Sequence, residues 1–158
     1  MLSDEKRMIK RITEVGVAVK DLDKATHLFV EVLGAKAGPM IEMPLYNMRY
    51  RMCRLGKVDF ELMEPVGEEG VIARFLKARG EGLHHVAFAV EDMDDAVGHL
   101  QENGVKFIGD PVEDPDSETI DYAGRTVSGS VKFIFSLPSS ILGMLFELIE
   151  YPEEYQTP

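Results

Sequence analysis

The stretch Glu14-Val-Gly-Val-Ala-Val-Lys-Asp-Leu-Asp-Lys-Ala25 returns as His85-Val-Ala-Phe-Ala-Val-Glu-Asp-Met-Asp-Asp-Ala96, a shift of 71 positions with six of twelve residues identical. A second echo ends each half, Phe60-Glu61-Leu62-Met63-Glu64 against Phe146-Glu147-Leu148-Ile149-Glu150. Either echo alone is short enough to arise by chance. Two in the same order point to duplication of one supersecondary unit.

Working outward, Ile12 to Val19 reads as a strand and Asp23 to Leu33 as a helix closed by Gly34, which suits a left-handed cap. Met48 to Leu55 and Val58 to Glu64 read as strands around a turn at Gly56 and Lys57, while Lys36 to Met43, followed by Pro44, carries no clear period. Gly70 to Arg79 is a short helix closed by Gly80. The second half then supplies a helix from Asp94 to Asn103, ended by Gly104, and strands over Phe107 to Ile108, Thr119 to Val127, Val131 to Leu137 and Met144 to Glu150. Asp110 to Ser117 is expected to be a mobile loop. The chain is thus expected to be one domain, 1–158, with βαβββ modules at 12–66 and 83–150 and a linker helix within 67–82. Two small sheets must cover their apolar faces, which predicts an α+β protein of two tandem βαβββ modules forming a barrel-like cleft with helices outside.

Composition narrows the partners. With 28 acidic against 17 basic side chains the net charge is −11, which repels a phosphate backbone and argues against nucleic-acid binding. No apolar run approaches the roughly 20 residues needed to cross a bilayer. No leader pattern is expected, and the single cysteine, Cys53, has no internal partner and reads as a small buried hydrophobe, so a soluble cytoplasmic protein is expected.

Strand alternation separates two faces. Val15, Val17 and Val19 share one, Glu14, Gly16 and Ala18 the other; His85, Ala87 and Ala89 oppose Val86, Phe88 and Val90; Glu61 and Glu147 lie opposite their Phe and Leu neighbours. If the halves are related by a pseudo-twofold axis, Glu14 pairs with His85 and Glu61 with Glu147. Three carboxylates and an imidazole in one concave space would repel one another or stay partly protonated unless a cation compensated them, which points to a divalent metal on Glu14, Glu61, His85 and Glu147. This donor set admits Mn, Mg, Co, Ni, Zn or Fe. Of the other histidines, His84 points away from His85 by alternation and is assigned a structural or hydrogen-bonded role. His27 and His99 are expected in solvent.

At these residues the chain resembles the vicinal oxygen chelate superfamily (glyoxalase/bleomycin resistance/dioxygenase), and within it methylmalonyl-CoA epimerase-like proteins. The likeness is carried by 16–22 (Gly-Val-Ala-Val-Lys-Asp-Leu), 61–65 (Glu-Leu-Met-Glu-Pro), 72–76 (Ile-Ala-Arg-Phe-Leu), 82–88 (Gly-Leu-His-His-Val-Ala-Phe) and 143–148 (Gly-Met-Leu-Phe-Glu-Leu). The resemblance implies the glyoxalase-type fold, a homodimer, and metal-ligand positions at His85, Glu147, Glu61 and Glu14. Three departures stand out: Glu14 occupies a position where epimerases usually carry His; Arg49-Tyr50-Arg51-Met52 has no carboxylate where they carry a glutamate base; and Ser136-Leu137-Pro138-Ser139 replaces a His-Pro-Lys motif.

The implied activity is that of a metal-dependent isomerase or epimerase that abstracts a proton next to a carbonyl, on a small-molecule substrate such as an acyl-CoA. Glu147 is expected to serve as ligand and acid/base, with Glu14 or Tyr50 standing in for the absent base. Arg49 and Arg51 share a strand face and are candidates for binding an anionic substrate. A plain surface role for these arginines is equally compatible with the sequence. The alternatives are a lyase of lactoylglutathione (glyoxalase I) type and a non-catalytic small-molecule binding or resistance protein.

Overall fold

The computed structural model describes residues 8–121 and 123–156. Eleven elements follow in the order β1 (Ile9–Ala18), α1 (Leu22–His27), β2 (Lys36–Met43), β3 (Met48–Leu55), β4 (Val58–Pro65), α2 (Val71–Arg79), β5 (Gly82–Val90), α3 (Met93–Glu102), β6 (Val112–Ile120), β7 (Thr126–Phe135) and β8 (Phe146–Glu150). This is βαβββ written twice with a helix between the copies.

The chain forms two compact units, one over Glu14–His85 and the other from the residues up to Thr13 with those from Val86 onward. Strands β1 and β5 each contribute a stretch to both. In the first unit the strand order is β2-β3-β4-β1-β5. There β1 and β4 run parallel, pairing Glu14 with Asp59, Gly16 with Glu61 and Ala18 with Met63, and β3 runs antiparallel to β4, pairing Tyr50 with Met63 and Met52 with Glu61. Paired residues share a face, so the strands have one face with Gly16, Ala18, Tyr50, Glu61 and Met63 and an opposite face with Val17, Cys53, Phe60 and Leu62. The opposite face packs with Val19, Leu22, Ala25 and Phe29 of the α1 region. Ala18 and Met63 are instead covered by Ile72, Phe75 and Leu76 of α2.

In the second unit the order is β1-β5-β8-β7-β6. Parallel pairing sets Ala87 beside Glu147 and Phe88 beside Leu148, and antiparallel pairing sets Phe135 across from Glu147. Phe146, Leu148 and Ile134 pack against Met93, Ala96, Val97 and Leu100 of α3, leaving Glu147 on the face away from the helix. Asp21 and Asp92 cap α1 and α3 alike, each carboxylate accepting a backbone N–H three residues on, from Lys24 and from Asp95, both at 2.9 Å. The duplication therefore extends to the caps.

Several elements differ from the sequence expectation. The helix expected through Leu33 is α-helical only to His27; Leu28–Val32 is π-helical, with Leu33 N–H donating to Leu28 O. The Thr26 hydroxyl donates to Leu22 O at 2.7 Å, a back-bond that loosens the preceding turn. Gly34 then ends the segment at φ +78°, as its missing Cβ permits. Lys36–Met43, without a period, is the edge strand β2.

The expected mobile loop at Asp110 to Ser117 is overturned: Val112–Ile120 is strand β6, paired with β7 through a register shift between Asp114 and Ser117. That irregularity accommodates Pro115, which cannot donate to a regular ladder. The expected strand Thr119 to Val127 is instead the end of β6, a turn and the start of β7; of its residues, Tyr122 lies outside the described ones. The buried Asp121 shapes the turn by accepting from the backbone N–H of Ala123 and of Arg125. Phe107 makes only an isolated bridge to Ser136. Among the described residues no helix is long and apolar enough to cross a membrane.

Candidate metal centre

Gly16 on β1 and His85 on β5 are in direct contact. A Cβ built on Gly16 would stand 2.3 Å from both Cε1 and Nδ1 of the His85 ring, so the ring occupies the space a side chain would take. Only glycine permits this approach. The ring is 5 % exposed, and its Nε2 lies 3.6 Å from Oε2 of Glu61, the carboxylate paired across β4 from Gly16. Burial lowers the pKa of His85, opposed in part by the charge of Glu61, which favours the neutral imidazole that a metal requires.

His84 turns back onto its neighbour. The two Nδ1 atoms are 3.0 Å apart, the rings meet edge to face, and Phe75 of α2 meets His84 in a T-shaped contact at 5.0 Å. Burial, then the charges of His85 and Arg79, bring the pKa of His84 down to about 4. Adjacent strand residues ordinarily point to opposite faces. From the sequence His84 is expected to point away from His85 in a structural or hydrogen-bonded role; its ring instead meets that of His85, a contact for which the sequence carries no signal beyond the histidine doublet itself.

Glu147 lies between Ala87 and Phe135 in its sheet and is 8 % exposed. Burial pushes its carboxyl up to about 8. Such an environment favours the charged form only when a cation or donor compensates it.

Of the four expected ligands, Glu14, Glu61 and His85 belong to the first unit and Glu147 to the second. Within the first unit Glu14 and His85 each offer one ligand atom, and these lie within 4.8 Å of each other. Glu61 stands beside His85 in the same unit. An imidazole with the carboxylates of Glu14 and Glu61 near it fits a borderline or hard divalent cation, since the donor set is mixed nitrogen and oxygen.

Tyr50 belongs to the same face of its unit. Its hydroxyl is raised to about 12, by burial first and then by the negative charges of Glu61 and Glu14. Arg49 and Arg51 alternate with Tyr50 and so fall on the other face, where Arg49 Nε donates to Glu64 Oε2 at 2.7 Å and Arg51 pairs across from Leu62 of the α1-side core. They are not gathered with Glu61 and His85. His27 and His99 are exposed, and Cys53 is buried with burial raising its thiol pKa, as expected from the sequence.

Comparison with known proteins agrees with this reading of the fold. Methylmalonyl-CoA epimerase of Bos taurus mitochondria is 33 % identical over 139 residues, 87 % of this chain and 73 % of that protein. An ethylmalonyl-CoA/methylmalonyl-CoA epimerase of Cereibacter sphaeroides is 35 % identical over 65 % of this chain and 77 % of its own. The crystal structure of methylmalonyl-CoA epimerase from Mycobacterium tuberculosis superposes with a TM-score of 0.76 at 26 % identity, covering 97 % of this chain and 95 % of that one. The α+β architecture is thus the glyoxalase-type fold of these epimerases. Residues 13–123 match the family profile described as Glyoxalase/Bleomycin resistance protein/Dioxygenase superfamily, and the chain belongs to that superfamily.

Proposed function

We propose that this chain is a metal-dependent epimerase that moves a proton at the carbon next to a carbonyl, and that its substrate is an acyl-CoA of the malonyl type. The observation that carries the reading is His85 seated on Gly16, with its Nε2 3.6 Å from Oε2 of Glu61 and a ligand atom of Glu14 within 4.8 Å. The bovine and Cereibacter relatives, named as epimerases of methylmalonyl-CoA and of ethylmalonyl-CoA/methylmalonyl-CoA, support the substrate class.

When bound, a divalent metal supplies Lewis-acid stabilisation of charge that develops on the substrate's oxygens. The protein's own contribution is division of labour among the ligands. His85, seated on Gly16 and held at Nδ1, offers Nε2 as a fixed donor. Glu61, beside that nitrogen, completes or supports the set. Glu147 and Glu14 are carboxylates able to take and return the α-proton, and the position at 49–52 adds no third one. Tyr50, whose hydroxyl keeps its proton until about pH 12, serves as a hydrogen-bond donor to substrate oxygen, a role in which a phenol can remain protonated throughout.

Deuterium incorporation tests this directly. Metal-loaded protein incubated with methylmalonyl-CoA or ethylmalonyl-CoA in D2O should exchange the α-proton, and Glu147→Gln should abolish exchange. A protein that takes up no divalent metal, or one that leaves both thioesters unexchanged while isomerising the methylglyoxal–glutathione hemithioacetal, would overturn the proposal.

A further inference from the structure

A neutral imidazole carries one proton on one of two nitrogens, and the protonated nitrogen has no lone pair to give a metal. The two nitrogens of His85 have different surroundings. Nδ1 is crowded by the backbone of Gly16, where even a Cβ would fall 2.3 Å away, and it is 3.0 Å from Nδ1 of His84. Nε2 faces the other way, 3.6 Å from Glu61, beyond good hydrogen-bonding distance.

Two neutral ring nitrogens at 3.0 Å share one proton, so one ring donates and the other accepts. Were His84 the donor, His85 would carry its own proton on Nε2, pointing toward Glu61 with nothing to offer a cation. With His85 as donor, Nε2 keeps its lone pair, on the side that faces the Glu61 carboxylate. His84 cannot readily swing away from this arrangement, because Phe75 meets its ring at 5.0 Å and Arg79 lies over Phe75 at 5.8 Å.

We infer that His84 is a positioning residue: its Nδ1 accepts the Nδ1–H of His85 and so holds His85 in the tautomer whose Nε2 can ligate a divalent cation. The inference rests on the metal-site reading above. Outer partners that orient a ligating histidine are worth about 10- to 100-fold in metal affinity.

The test compares His84→Asn, whose side-chain oxygen reaches near the place of Nδ1, with His84→Leu, which fills similar space without an acceptor. Two-bond 1H–15N correlation spectra of the metal-free protein should show His85 protonated on Nδ1 in the wild type and in H84N, with that preference lost in H84L. Calorimetric titration with Zn²⁺ and Co²⁺ should give H84N affinities within about threefold of wild type and an H84L loss of about 10- to 100-fold. If H84L fails to fold, His84→Gln, whose oxygen sits one bond too far out, replaces it and should show the same loss. Wild-type His85 found protonated on Nε2, or acceptor-less variants binding metal as tightly as wild type, would overturn the inference alone. A wild type that binds neither ion would overturn it together with the metal reading.

Discussion

The imidazole of His85 rests on the backbone of Gly16, at a separation that a single methyl on the glycine would reduce to 2.3 Å from Cε1 and Nδ1. Glycine at the middle of a buried strand ordinarily weakens it; here the missing side chain is the seat of a ligand. On this face of β1 the space a side chain would fill is taken by the histidine.

Gly16→Ala should therefore act on the site before it acts on the sheet. The new methyl must displace the ring, and overpacking of this kind costs about 1–3 kcal/mol. Chemical denaturation should register that loss, and calorimetric titration with Zn²⁺ should show affinity falling with it. Unchanged metal affinity in G16A would mean that the ring can relocate without loss of the ligand.

Glu147 gives the metal-free protein a pH dependence of definite sign. Its carboxyl is raised from 4.5 to about 8 by burial, so between those values the folded state holds a proton that the unfolded state has released. Stability from this group is fully present below pH 4.5 and is lost as pH rises toward 8. His84, lowered from 6.5 to about 4, works in the other direction, with stability present above 6.5 and lost as pH falls toward 4. Urea midpoints of wild type minus those of Glu147→Gln remove the histidine's contribution. The difference should decline steadily from pH 4.5 to 8, and a flat difference would refute the buried neutral carboxyl.

How much of this was legible in the sequence depends on whether side chains or backbone carry the information. The echo of Glu14–Ala25 in His85–Ala96 was enough for the repeated βαβββ order, because apolar residues at fixed spacing report burial. Strand β2 was opaque for the same reason: only Gly38 and Met43 of its eight residues are less than exposed, and an edge strand that buries almost nothing has no period to display. Strand β6 was misread as loop because Glu113, Asp114, Asp116 and Glu118 describe the solvent their side chains meet, whereas the ladder to β7 is made by the backbone.

The site shows the same division. Alternation along each strand correctly grouped Glu14 with Gly16 and set Glu61 and Glu147 apart from their apolar neighbours. It grouped Arg49 with Arg51 too, but could not say which face that was. That answer required the register of β3 on β4, which sets Arg49 opposite Glu64 and Met52 opposite Glu61. The contact between His84 and His85 depends on side-chain rotamers, which no periodicity encodes.

Arg49 and Arg51 should accordingly be separable from the metal chemistry. Arg49→Ala combined with Arg51→Ala removes two cations from the α1-side face and should leave Zn²⁺ affinity within about twofold, since residues without shared partners act independently. Glu61→Gln, in contact with His85, should weaken it by more. A larger effect from the arginines than from Glu61 would place their guanidinium groups at the centre despite the register.

Tyr50 distinguishes a donor from a base. A phenol raised from 10.0 to about 12 is protonated at every pH at which the protein would be assayed, so it can stabilise charge on a substrate oxygen but cannot collect the α-proton at neutral pH. Tyr50→Phe keeps the ring and removes the hydroxyl. It should slow α-proton exchange by about 10²-fold, the typical worth of one positioned donor, with metal affinity unchanged. The pH–rate profile offers the sharper criterion: with Tyr50 as donor, the wild-type rate shows no rise as pH climbs through 10 toward 12. A rise there that disappears in Y50F would make the tyrosinate the base and return Glu14 to the role of ligand alone.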